Sequence, residues 1–104
     1  MAMSGRSAVR VGPETETERG WSYEATLAWS ADRSTRHTVT LSWADHDLLS
    51  AGFSPPSRTV EVALGVVVEA GEASLGAGRL PPRFDISTLR RLLPGFDDLV
   101  QERL

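Results

Sequence analysis

The 104 residues contain no cysteine, which excludes disulfide staples, a thiolate nucleophile and Cys-ligated zinc, and fits a reducing compartment better than an oxidising one. Lysine and asparagine are absent too, so all eleven basic residues are arginine. That bias reads as GC-rich coding and carries no functional weight. Fourteen acidic residues outnumber the arginines, for a formal charge of −3, which argues against broad attraction to nucleic-acid phosphates. No long apolar run occurs. Residues 62–68, interrupted by Gly65, are too short to span a bilayer, and residues 1–19 hold no apolar run of signal-peptide length. The expectation is a cytoplasmic chain with no membrane partner, no nucleic-acid partner and no cofactor. Nucleophile-elbow, phosphate-loop and zincin patterns are missing, as are internal repeats and heptads.

What is present is ordinary globular composition, 40% hydrophobic and 24% charged, enough for one modest core. Residues 1–20 are small or charged, with Gly5, Gly12, Pro13 and alternating Glu and Thr from Glu14 to Glu18. They are expected to form a flexible tail ahead of a single domain over 21–104. From Trp21 the pattern becomes strict alternation: Trp21, Tyr23, Ala25, Leu27 and Trp29 on one face, polar residues on the other. It resumes after a polar break with His37, Val39, Leu41 and Trp43. Two strands, about 21–30 and 35–43, therefore make an antiparallel hairpin. Because facing residues share a side of the sheet, odd apolar positions must pair with odd ones, so the expected loop is odd, of three residues centred on Asp32 or Arg33 or of five, and an even, unbulged loop would refute it.

A lone hairpin is marginal in water and needs cover. The fold class expected is α+β, the hairpin packed by two or three C-terminal helices drawn from about 44–51, 56–70, 85–93 and 96–103. Gly52 is expected to close the first. Residues 60–68 fit a helical stripe and a strand alike; Pro55 and Pro56 favour a helix start, Gly65 and the β-branched residues a strand, and helix is chosen. Residues 70–82 read as loop. Asp85 is expected as the N-cap of the next helix, which Pro94 stops.

A hairpin ending His-Thr-Val-Thr-Leu-Ser-Trp that leads into a helix, with Leu-Pro-Pro-Arg-Phe-Asp-Ile opening the final helical region, resembles short bacterial proteins of unknown function over about residues 36–96. The resemblance supports helix at 60–68 and implies no activity and no site.

Five residues are candidate ligand-binding groups. His37 sits on the apolar strand face and could serve as a base toward a Ser or Thr hydroxyl; its bland reading is a boundary histidine. His46 lies between Asp45 and Asp47, a trio of possible metal ligands, yet helix neighbours diverge and cannot all reach one ion, so no metal site is assigned. Arg79, Arg83 and Arg90, with Arg91, gather near the Leu-Pro-Pro-Arg loop and could hold an anionic group or an acidic partner. The Trp21, Tyr23, Trp29 and Trp43 face reads as core rather than a stacking platform. The function expected is a non-enzymatic protein–protein interaction module or accessory subunit, with self-pairing at a hairpin edge as one mode. Alternatives are a small ligand-binding protein or enzyme with a pocket between hairpin and helices, and an antitoxin-like regulator.

Overall fold

The computed structural model describes residues 8–75 and 80–104. Within them lies an α+β fold: a four-stranded sheet in the order β1-β2-β3-β4, with helices C-terminal to the hairpin. Strands β2 (Gly20–Ser30) and β3 (Arg33–Ser42) form the hairpin, and their register pairs Trp21 with Leu41, Tyr23 with Val39 and Ala25 with His37. Odd residues thus face odd residues. The turn leaves only Ala31 and Asp32 unpaired, an even loop, and parity survives through a bulge between Ala28 and Ser30. The extra residue, Trp29, absorbs the odd count.

Both hairpin edges are covered, which corrects the expectation of an open two-stranded sheet. The edge of β2 is paired by β1 (Val9–Glu16), inside the segment expected as tail. Polar composition hides this strand because an edge strand is held by its backbone ladder and needs few apolar anchors. Val9, opposite Leu27 and buried, is such an anchor. The edge of β3 is paired in parallel by β4 (Arg83–Asp85), Phe84 opposite Val39. Three residues between Pro82 and a helix are too few to show a period. At the other end of the ladder Gly20 meets β3 at close range. A Cβ there would lie 2.0 Å from the Leu41 carbonyl oxygen, so the hairpin closes only over hydrogen.

Four helices follow, one more than expected as cover, at α1 (Trp43–Ser50), α2 (Pro56–Ala70), α3 (Ile86–Leu92) and α4 (Phe96–Arg103). Trp43, expected to end the hairpin on its inner face, instead opens α1. The Ser42 hydroxyl caps the helix by accepting the Asp45 N–H at 3.0 Å, and the Trp43 N–H bonds Arg19 O at 2.8 Å. The chain turns there and Trp43 is left 57% exposed. The left-handed exit of α1 begins at Ala51 (φ 53), one residue before Gly52 (φ 80).

Residues 60–68 are helix, within α2. Pro56 at its first turn is preset for helical φ and has no N–H to lose. Val60, Ala63, Leu64 and Val67 are wholly buried and Val62 and Val66 nearly so, which is why β-branched residues tolerate a helix here: packing outweighs propensity. The helices cover the face bearing Tyr23, Leu27, Val39 and Leu41, and Phe96 and Val100 of α4 and Leu89 of α3 complete the core. Asp85 caps α3 as expected, accepting the Ser87 N–H at 3.0 Å, and the chain leaves helical geometry at Leu93 before Pro94. No helix among the described residues is long and apolar enough to cross a membrane.

Candidate functional site

The candidate groups are dispersed over separate places. His37, on the inner face of β3, is 5% exposed. Its Nδ1 lies 2.8 Å from the Pro81 carbonyl oxygen, an acceptor only, so Nδ1 carries the hydrogen and donates it. Nε2 is then free to accept from the Thr35 hydroxyl at 2.7 Å, while that same oxygen accepts the Trp29 indole N–H at 2.8 Å. Trp29, Thr35, His37 and Pro81 form one directional chain of hydrogen bonds beside a cleft of about 370 Å³ that Arg33, Arg36 and Leu80 also line. The edge of Phe84 meets the His37 ring at a centroid distance of 5.3 Å.

This is a hydroxyl–imidazole pair, the geometry a nucleophile and base share. Its third member, however, is a neutral carbonyl, which orients the ring without compensating the charge of an imidazolium as a carboxylate does. The nearby guanidinium of Arg33 is bidentate on Glu72 at 2.6 and 2.7 Å. The Glu72 hydrogen bond, and then its charge, raise the Arg33 pKa from its ordinary value. The arrangement positions a hairpin end, with Arg33 engaged by Glu72 and Arg36 at the rim of the cleft.

His46 lies elsewhere. Its Nε2 donates to Ser54 O at 2.6 Å and its ring meets Trp21 edge-on at 5.2 Å, which ties α1 to the turn after it and to β2. Arg90 is consumed internally. Its Nε donates to both carboxylate oxygens of Asp97 at 2.9 and 3.0 Å and its NH2 group to Asp45 at 3.0 Å, so one guanidinium on α3 joins α1 and α4. The Asp97 hydrogen bond is the largest cause raising the Arg90 pKa; burial, next in size, opposes it, and the Asp45 bond and both charges add smaller rises. Asp45 is therefore occupied, and Asp47 points to solvent.

Arg83 is exposed on β4 and lines a different cleft, of about 650 Å³, with Arg19, Asp45 and Asp85. There Asp85 accepts the Thr40 hydroxyl at 2.5 Å in addition to capping α3. Arg79 lies outside the described residues. Among the described residues the clefts holding His37 and Arg83 are distinct, and His46 lines neither.

A feature that sequence reasoning missed is apolar and exposed. Phe53 is 91% exposed, Trp43 57% and Leu48 50%. Leu48 and Phe53 share a shallow groove of about 360 Å³ with Gln101 and Leu104, where the Gln101 side chain donates to Leu48 O at 3.0 Å. The signal was faint: α1 holds two adjacent leucines, of which Leu49 is buried and Leu48 faces out. Comparison with family models, with curated proteins and with solved structures finds no match for this chain.

Proposed function

We propose that this chain is a non-enzymatic protein–protein interaction module or accessory subunit. The observation that carries the reading is the exposure of Trp43, Leu48 and Phe53 on α1 and the turn after it. Large aromatic and aliphatic side chains held outward on a packed helix are the kind of anchor that desolvates at the centre of an interface. A rigid helix also spares part of the ordering cost of association. The dispersal of His37, His46, Arg83 and Arg90 supports the same reading, because chemistry needs its groups converging on one cavity.

The test is site-specific crosslinking in the cell that makes the chain. A photoreactive phenylalanine analogue at Leu48 should trap one discrete partner, and Phe53→Ser in the same chain should abolish the product. A product of twice the 11.3 kDa chain mass would identify the partner as a second copy. Crosslinking no stronger than from Glu61, exposed on α2, would overturn the reading.

A further inference from the structure

The helices leave the second face of the sheet open, and its register arranges charge there. Arg10 pairs with Thr26 and Thr26 with Arg36, so a row across three strands has an arginine at each end. In the next row of that face, Glu24 pairs with Thr38 and Thr38 with Arg83. Strands lie about 4.8 Å apart, which puts the Arg10 and Arg36 backbones on the order of 10 Å from each other, within reach of one bound segment.

All three arginines are exposed, and none makes an ion pair among the described residues, whereas Arg33, Arg58, Arg90 and Arg103 do. The acids on this face, Glu24 and Asp85, meet no guanidinium among the described residues: Glu24 accepts the Thr38 hydroxyl at 3.0 Å, and Asp85 accepts from both Thr40 and the Ser87 N–H. Three planar forks of donors therefore stand free on an otherwise hydroxyl-rich surface.

The geometry points to this open face as a docking surface for an acidic peptide segment of another protein. Arg10, Arg36 and Arg83 take its carboxylates, and the unbonded hydroxyl of Thr26 lies between the first two. Charge complementarity selects the occupant, since a guanidinium fork matches a carboxylate in two parallel hydrogen bonds. Single-stranded nucleic acid is a poorer fit. Trp21, Tyr23, Trp29 and Phe84 all pack against the core on the covered face, so no strand aromatic is left for bases to stack on. The inference is independent of the apolar surface around Phe53.

The experiment is chemical-shift mapping of the isotope-labelled full chain titrated with a peptide of about ten residues alternating Glu and Ser, beside its Gln-for-Glu twin. Shifts are expected at Thr26, Arg36 and Thr38, absent with the twin, and unchanged in Arg91→Gln, which removes an exposed arginine elsewhere. Combining Arg10→Gln, Arg36→Gln and Arg83→Gln should weaken binding about tenfold, and Arg36→Gln alone about threefold, as expected for exposed charge pairs. Unchanged affinity in the triple variant, shifts confined to the helices, no binding at all, or tighter binding of oligouridylate would each overturn the inference.

Discussion

The phenol of Tyr23 donates to a Glu14 carboxylate oxygen at 2.5 Å, reaching across the register break where β1 passes from Val11 to Glu14. Tyr23 is 1% exposed. Burial first, then the Glu14 hydrogen bond and charge, hold its pKa well above the ordinary phenol value. An unfolded tyrosine ionises near pH ~10, so above that pH the unfolded chain releases a proton the folded one keeps. The contribution is complete below about pH 10 and is lost as pH rises toward the folded value. Urea midpoints should therefore fall above pH 10, and Tyr23→Phe should flatten that slope while costing about 1 kcal/mol at neutral pH. Tyr23 is the chain's one tyrosine, so absorbance reads its ionisation directly. A slope that persists in the variant would assign the alkaline loss to another group.

Two glycines should respond in opposite directions to alanine. At Gly20 the new Cβ would meet the backbone of β3, 2.0 Å from Leu41 O and 2.8 Å from Ser42 Cα. The strands must part there, at a cost of about 3 kcal/mol or more. At Gly65, inside α2, a Cβ meets nothing within 4 Å, and alanine should add roughly 0.5–1 kcal/mol by helix propensity. Urea unfolding of the two variants checks both signs.

Removing the Arg90 guanidinium should loosen three helices together. Arg90→Gln breaks the bonds to Asp45 and Asp97; partial exposure screens them, so the expected loss is about 1 kcal/mol. Arg90→Lys should recover little of it, because an ammonium cannot reproduce a fork that serves two carboxylates. Hydrogen exchange should quicken in α1 and α4 before it does in β2. Uniform quickening would refute the clamp.

The hairpin end offers a fourth case. Thr35→Val removes the oxygen that accepts from Trp29 and donates to His37, leaving two ring nitrogens without that partner at a cost of about 1–3 kcal/mol. The Pro81 carbonyl still holds the hydrogen on Nδ1, so the tautomer should persist while the Nε2 shift moves toward that of an unbonded ring nitrogen. An unaltered Nε2 shift would mean that Thr35 does not bond it.

Much of this architecture is legible in the residues, and where it is not the reason is physical. The bounds 56–70 and 96–103 and the Asp85 cap follow from proline placement, a buried stripe and one short side chain, all local signals. Face parity in the hairpin is also legible, although the bulge at Trp29 that preserves it depends on how the turn closes. Strands β1 and β4 escape because each is defined by its neighbour: Glu14 and Thr15 become strand by pairing with Tyr23 and Ser22, and Phe84 by pairing with Val39. The site candidates divide likewise. Residue type marks Arg83 and Arg90 equally, and only tertiary distance shows that Asp45 and Asp97 occupy Arg90 while Arg83 stands free. Arg10 and Arg36 gain interest solely from sharing a row with Thr26.

The parallel pairing of β4 with β3 has a consequence for synthesis. Thr40 and Asp85, which bond across that pair, are 45 positions apart, so the hairpin leaves the ribosome well before the strand that seals it. At about 5–20 residues per second the delay is on the order of a few seconds, far longer than a hairpin takes to form. Throughout that interval the Thr38 N–H, later bonded to Pro82 O, is open to any passing strand. The exposed Arg36 and the tight turn at Ala31 and Asp32 are the nearest features that discourage such capture during translation.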